Sequence, residues 1–131
     1  MRDLHSHVSP ALAIAPAVLT ATATSAAIDL ADFNSATVVI ATGAIAGDGA
    51  FSVKLQHSNT TTSGDFTDVP ANGVLGSTPA SLAADSTYKL GYTGGSDGNK
   101  RYVRVVMTKA SGTSIAASAT VLRGHPTNSP A

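Results

Sequence analysis

The chain has 131 residues, the size of a single domain, and eight basic residues balance eight acidic ones to give a formal net charge of zero. A neutral chain does not fit a nucleic-acid binder that neutralises phosphates, and the absence of cysteine excludes a disulfide scaffold, a thiolate zinc site and a cysteine nucleophile. Val, Leu, Ile and Phe make up 28 of the 131 residues, which predicts a folded domain with a thin core that gains from oligomerisation or docking.

The first 27 residues are low in charge and rich in Ala, Thr and Pro. They predict an extended N-terminal arm, residues 1–27, in which residues 11–20 favour a strand. Arg2 before an apolar stretch is a feature of secretory signals, but two prolines interrupt that stretch, so we expect an arm instead. No stretch approaches the roughly 20 apolar residues that a membrane helix needs, so we expect no membrane partner.

Short apolar runs separated by turn residues follow the arm. Residues 36–42 form a continuous apolar run that predicts a buried strand, and residues 47–49, Gly-Asp-Gly, predict a hairpin turn. Further strands are predicted at residues 51–57, 66–69, 88–92, 101–108 and 114–122. Alternation within four of them predicts side chains that share one face of each strand: Phe51, Val53, Leu55 and His57; Tyr88, Leu90 and Tyr92; Val103, Val105 and Met107; Ile115, Ala117, Ala119 and Val121. Val103, Val105 and Met107 are predicted to point inward, and Tyr88 and Tyr92 to face the core.

Strands of this number and spacing predict an all-β fold, either a single β-sandwich or a jelly-roll-like barrel, with the extended N-terminal arm and a short C-terminal tail. The acidic residues support this prediction, because all eight are Asp, which favours turns, and none is Glu, which favours helices. We predict a sandwich domain over residues 28–123 and a tail over residues 124–131. The strand count does not separate the two topologies.

Few residues are spaced for chemistry. His5 and His7 would lie on one side of an extended segment and would bind a metal only with a third ligand, so contacts to a partner are the simpler interpretation. Asp65 and Asp68 are three residues apart in a strand and face opposite sides of the sheet, which argues against a shared acid–base site. We predict no catalytic, cofactor-binding or metal-binding residues, and hence a protein that is not an enzyme.

Five segments carry a resemblance that spans nearly the whole chain: MRDLHSHVSPALAIAPAVLTA, SATVVIATGAI, FSVKLQHSNTTTSGDFTDVP, KRYVRVVMT and VLRGHP. In this order they resemble the small structural proteins encoded in the head gene clusters of tailed bacteriophages. The resemblance implies a capsid decoration, or cement, protein. Such proteins sit on the outside of the expanded head, often as trimers at three-fold positions, and tie neighbouring capsid subunits together.

The resemblance also implies partners and a location. The partners would be the major capsid protein and neighbouring copies of the chain in a homo-oligomer, with no nucleic acid. The location would be the capsid surface of a virion assembled in the bacterial host cytoplasm. The predicted interface residues are chosen for their place in the two arms: Arg2, His5, His7, Arg123 and His125. If the arm carries binding, deleting residues 1–20 should leave a folded domain that no longer binds heads.

Two other functions remain open. A structural protein of the phage tail or of the head–tail junction would share these features, but it would occur in small rings rather than in hundreds of copies. A surface carbohydrate-binding or adhesion module is the second alternative. The absence of Trp and the core-facing positions of Tyr88 and Tyr92 weaken it, because sugar-binding modules usually present exposed aromatic platforms.

Overall fold

Ten strands build the fold in the computed structural model, which describes residues 3–127. They are β1 Val8–Leu19, β2 Ala23–Thr24, β3 Ile28–Asp29, β4 Phe33–Ala46, β5 Ala50–Ser58, β6 Thr67–Asp68, β7 Val74–Leu75, β8 Thr87–Tyr92, β9 Tyr102–Ser111 and β10 Ser114–Pro126. The described residues contain no α-helix, only short 3₁₀ turns at His5–His7, Ser63–Asp65, Ala71–Gly73 and Gly95–Asp97. No helix in this part of the chain is long and apolar enough to cross a membrane.

The strands form two antiparallel sheets that pack as a sandwich. Sheet A has five strands in the order β1-β10-β4-β8-β7, and sheet B has the order β2-β9-β5-β6, with β3 also paired to β9. Each sheet turns one apolar face toward the other, as the alternating side chains of the sequence require. The predicted all-β sandwich is confirmed.

The core lies between the sheets and contains most of the side chains that the alternation predicted, together with Ile14, Ile28, Leu30 and Leu82, which it did not predict. Several of the predicted side chains are completely shielded from solvent: Phe51, His57, Val103, Val105, Met107, Ile115, Ala119 and Val121. Val53 and Tyr88 pack against this core but are only half-buried. The continuous apolar run at residues 36–42 adds Val38 and Ile40 from β4, which are also fully buried.

The turn at residues 47–49 does not make the predicted hairpin. β4 already pairs with β10 on one side and with β8 on the other, so β5 finds no free edge of β4 and enters sheet B instead. The turn between β9 and β10 crosses back, and Thr113 N donates to Gly47 O at 3.2 Å, so the two crossings lie side by side. Gly112 is required there, because its φ is 81° and a Cβ would collide with the Asp48 carbonyl oxygen.

The predicted N-terminal arm differs most from the structure. Its residues Val8–Leu19 are strand β1, which pairs with β10 along the edge of sheet A, so the sandwich begins at residue 8 rather than at residue 28. Ile14 of this strand is 6% exposed and belongs to the core. The physical reason is burial, because a 12-residue apolar strand that covers β10 removes more apolar surface from water than a free arm would.

The last strand also runs further than predicted. β10 continues to Pro126, which lies opposite Phe33 of β4, and Thr127 N donates to Asp32 O at 2.8 Å. The first part of the predicted tail, residues 124–127, therefore belongs to the sheet or borders it. The rest of the predicted tail lies outside the described residues.

Candidate docking surface

The outer face of sheet A, which we call the A-face, carries almost no charge. One row across four strands shows its character: Leu12, Thr120, Val39 and Lys89 lie side by side. The described strands turn the following residues outward here: Val8, Pro10, Leu12 and Val18; Ala116, Ser118, Thr120, Leu122 and Gly124; Ser35, Thr37, Val39, Ala41 and Gly43; Thr87, Lys89 and Gly91; and Leu75. Lys89 is the one formally charged residue among them.

Large apolar side chains of the described residues are exposed on this face. The four that are more than half exposed are Leu4 at 58%, Leu12 at 60%, Val18 at 66% and Leu75 at 61%. Leu4 precedes β1 and lines a hollow of the A-face, while the other three belong to its strands. Exposed apolar groups scattered singly are ordinary on a protein surface, but their collection on one face indicates an interaction surface.

The outer face of sheet B is opposite in character. Asp68 accepts a hydrogen bond from Gln56 Nε2 at 2.8 Å and pairs with Lys54 Nζ at 3.2 Å. Arg104 Nε donates to Gln56 Oε1 at 2.8 Å, and its guanidinium carbon lies 4.3 Å from the centre of the Phe66 ring. These charged groups have partners within the chain, so this face offers little to an apolar partner.

One end of the A-face carries a hollow of about 350 Å³, which we call the end groove. Its walls are Leu4, His7, Val8, Ser35, Thr37, Lys89, Leu122, Gly124 and His125. His7 Nδ1 donates to the Asp3 carbonyl oxygen at 2.6 Å, and His125 Nδ1 bonds to Ser35 Oγ at 2.7 Å, so both rings are held in place. The structure thus brings two of the predicted interface residues, His7 and His125, to one hollow.

The other predicted interface residues lie elsewhere. Arg2 is outside the described residues, and His5 is exposed in the turn before β1 without lining the end groove. Arg123 is a tie within the chain: Nε and Nη2 donate to the carbonyl and hydroxyl oxygens of Ser9 at 3.3 and 2.9 Å, and Nη1 donates to Asp29 O at 3.2 Å. Arg123 therefore joins β1 and β3 to β10, and its contacts in this structure are internal.

A polar cluster around His57 lies between the sheets, and Asp97 forms its partly exposed end. The His57 ring is fully buried, with Nε2 3.2 Å from Asp97 Oδ2 and Nδ1 2.7 Å from Tyr92 Oη. Because an ionised carboxylate only accepts, we assign the proton to Nε2, and Nδ1 then accepts from the Tyr92 hydroxyl, which itself accepts from Lys100 N at 3.0 Å. Burial raises the pKa of Tyr92, so the hydroxyl keeps its proton. The ring has no exposed atom for a substrate to meet.

Metal ligands do not come together within residues 3–127, where no group of three or more His, Cys, Asp or Glu side chains is arranged to hold an ion. His5 and His7 lie in a 3₁₀ turn rather than in an extended segment, so the arrangement that would put both rings on one side of a strand does not form.

Sequence reasoning missed the exposed apolar residues of the A-face. The available signal lies in Val8–Leu19, where apolar residues occupy both faces of the strand: Ile14 faces the core, while Leu12 and Val18 face outward. A strand that is apolar on both faces is typical of burial on both, which in an edge strand is a signal of an interaction surface. Leu75 carries no such signal, because only the pairing of β7 with β8 brings it to this face.

Comparison with known proteins gives a likeness of fold alone. No family model matches the chain, and no curated protein sequence matches it. Among solved structures, the chain is similar to a chain of infectious bursal disease virus, Gx strain, with a TM-score of 0.39 and 16% identity over 92% of this chain and 33% of that chain. It is also similar to PirA, with a TM-score of 0.38 and 12% identity over 95% of this chain and 99% of that chain. The chain thus spans about one third of the viral chain's length.

Proposed function

We propose that this protein is a non-enzymatic virion structural protein that binds the outside of a tailed-phage capsid through the A-face and stabilises it as a decoration, or cement, protein. The observation that carries the proposal is the collection of Leu4, Leu12, Val18 and Leu75 on one nearly uncharged face. These side chains lie at separate positions on the face, and partly exposed apolar residues between them, such as Leu122 and Val39, keep the face mainly apolar. An exposed apolar face on a soluble domain marks an interaction site. The resemblance of five segments to phage head proteins supplies the kind of partner.

The A-face is large enough for a stable interface. Three strands of 12 to 14 residues and the shorter β8 and β7, spaced by about 4.8 Å with about 3.3 Å per residue, give a face of roughly 750 Å². That is close to the roughly 800 Å² per partner that a standard protein interface buries. Because Lys89 is the one formally charged side chain that the described strands place here, the matching capsid surface should itself be poor in charge and rich in apolar groups.

A capsid lattice suits a small domain of this kind. Each bound copy would contact the major capsid protein and neighbouring copies, so many weak contacts would add to a strong total. We include in the proposal a homo-oligomer, with a trimer as the form that the resemblance implies, and assembly in the host cytoplasm. The thin core supports this, since docking would supply burial that the isolated domain lacks.

The absence of an enzymatic role is also part of the proposal. The titratable side chains of His57 and Tyr92 are buried, whereas Asp97, their partner at the end of the cluster, is 45% exposed. The hydrogen bond between His57 and Tyr92 links β5 in one sheet to β8 in the other, which is a structural role. A binding protein needs the flat A-face and does not need a reactive group in a cleft.

Copy number in purified particles tests the proposal directly. Quantitative mass spectrometry against the major capsid protein of the source virus should find hundreds of copies, in a simple ratio to the capsid subunit. Copies sufficient only for a small ring would favour the tail or head–tail junction instead. Absence from the particle would overturn the virion assignment and favour the adhesion module.

Charge placed on the A-face should block docking. The double variant Leu12→Lys and Val18→Lys should lower the affinity for isolated heads at least about tenfold, because burying two uncompensated charges opposes the interface. Both side chains are exposed, so the melting temperature should change little. Thr24→Lys, at an exposed strand position of sheet B, is the matched control and should bind normally. Equal binding by all three proteins would show that the A-face is not the docking surface.

A further inference from the structure

We infer that the end groove of the A-face binds an extended, acidic peptide segment of the partner, with one aliphatic side chain seated in the hollow and a carboxylate beside Lys89. This inference rests on the proposed function, because it takes the partner to be a protein. It adds the chemistry of one anchoring contact to a face that is otherwise neutral.

The floor of the groove fits an aliphatic side chain. Leu4, Val8 and Leu122 line it, and Leu4 is 58% exposed although it is a large apolar residue. Gly124 adds no side chain, and a Cβ there would lie 2.9 Å from Ser35 Oγ. The apolar floor is therefore left open, and covering it would remove Leu4 from water.

The rim of the groove fits a carboxylate. Lys89, His7 and His125 line it, and the lining contains no acidic residue. The Lys89 ammonium group forms no hydrogen bond or ion pair with any residue from 3 to 127, in contrast to the Lys54 ammonium group, which pairs with Asp68. An anionic group would give Lys89 its partner and would accept a hydrogen bond from Nε2–H of His125 in the tautomer whose Nδ1 accepts from Ser35 Oγ.

The two imidazoles are ordered before any partner arrives. Each ring uses Nδ1 for a bond within the chain, to the Asp3 carbonyl oxygen in His7 and to Ser35 Oγ in His125. That leaves both Nε2 atoms without a partner among the described residues. Because the rings are already held, less conformational entropy is lost on binding than with free side chains.

A peptide fits this groove better than other anions do. The volume of about 350 Å³ is at the lower end of the roughly 300–1,000 Å³ of small-molecule sites, and the hollow is open to solvent, so a free ligand would stay partly exposed. One lysine and two histidines are few for a nucleic-acid backbone, and the chain is neutral overall. A peptide can fill the hollow with one side chain and continue across the A-face.

Selection from an mRNA-displayed library of random heptapeptides on the intact protein tests the inference. Enriched sequences should place Asp or Glu next to Leu, Ile or Val. Fluorescence anisotropy with a selected peptide should show about fivefold to tenfold weaker binding for Lys89→Gln, because a charge-assisted contact is lost. Lys54→Gln, on the outer face of sheet B, is the matched control and should leave the affinity unchanged. Replacing the peptide's acid by the corresponding amide should abolish the difference between wild type and Lys89→Gln.

Four results would overturn the inference: no enrichment, enrichment of basic or uncharged sequences, equal binding by Lys89→Gln, or binding of dodecanoate without selection of acidic peptides. Lys89 and Lys54 are exposed, so thermal melting should confirm that both variants fold. The copy-number measurement separates this test from the proposed function. Hundreds of copies per particle without selection of acidic peptides would support the proposed function and contradict the peptide-binding role of the end groove. Selection of acidic peptides by a protein that is absent from the particle would support the peptide-binding role and contradict the proposed function.

Discussion

His57 shows how one buried polar residue can hold two sheets together. Its ring lies edge-on to Tyr92, with ring centres 5.6 Å apart, and its two nitrogens reach Tyr92 and Asp97. No buried side-chain nitrogen or oxygen among the described residues lacks a hydrogen-bond partner. A hydrogen-bonded network of buried polar side chains stabilises the fold only while every member has its partner, so removing one member should lower the free energy of unfolding.

Tyr92→Phe should destabilise the fold without changing its shape. The variant leaves His57 Nδ1 and Lys100 N without their partner, which should lower the free energy of unfolding by about 2–4 kcal/mol. Urea denaturation measures this loss. Tyr88→Phe is the control, because the Tyr88 hydroxyl accepts only the exposed Ala83 N–H at 2.9 Å, and its loss should be smaller. Equal losses in the two variants would contradict the structural role of the buried chain.

The ion pair between Arg101 and Asp29 should make stability depend on acid pH. Nε and Nη2 of Arg101 each donate to one carboxylate oxygen at 3.0 Å, and this hydrogen bonding lowers the pKa of Asp29 below 3.8. A lowered folded-state pKa gives stability that is present above pH 3.8 and is lost as the pH falls through the folded value. Both side chains are substantially exposed, so solvent screens the effect.

Arg101→Gln should therefore be less stable than wild type near neutral pH, with the difference shrinking as the pH falls toward about 2. Unfolding free energies from denaturant titrations across this range measure the difference. Lys109→Gln is the control: Lys109 Nζ donates to the Thr20 carbonyl oxygen, which does not titrate, so its effect should stay constant through acid pH. A constant difference for Arg101→Gln would contradict the role of the Asp29 carboxylate.

At the scale of elements, β1 is an edge strand that exposes apolar side chains on the A-face while its backbone edge is protected from pairing with other chains. A free strand edge is a template for pairing with other chains. Pro10 and Pro16 lack the N–H that such pairing needs, and register shifts on both sides of Ile14 interrupt the regular edge. The strand therefore presents its outward side chains to a partner better than it presents its backbone.

Deleting residues 1–20 should unfold the domain rather than remove a free arm. The deletion uncovers the edge of β10 and removes Ile14 from the core. Thermal melting followed by circular dichroism should show loss of the cooperative transition. Ile14→Ala alone should cost about 2–5 kcal/mol, whereas Leu12→Ala, at an exposed position of the same strand, should have little effect. A cooperative transition at the wild-type temperature in the truncated chain would contradict this role of β1.

At the scale of the whole molecule, the two outer faces of the sandwich differ in polarity. Sheet B meets water with a connected set of charged and amide side chains around Gln56. Sheet A meets its surroundings with apolar and hydroxyl side chains and a single lysine. A neutral chain with one polar face and one mainly apolar face is suited to bind flat on a larger neutral surface. The proposed decoration role requires binding of this kind.

The local patterns of the sequence determined the all-β class and the side chains that share one face in four strands. Residues such as Val103, Val105 and Met107 are buried as their alternation predicts, because side chains of a strand alternate between its faces wherever the strand lies. This information is local, so no strand order is needed to obtain it. The same local patterns did not predict the structure of the two ends of the chain, because an apolar strand and an apolar free arm have similar sequences.

Only the tertiary structure decided which strands pair and what their outward faces share. The turn at residues 47–49 crosses between sheets because both edges of β4 are occupied, which no local signal reports. The A-face likewise exists only because β10 joins β1 to β4, and because β7 and β8 extend the same sheet. Leu12 and Leu75 are far apart in sequence, and pairing across the sheet places both on one surface. Non-local hydrogen bonding thus decides the surface that a partner would meet.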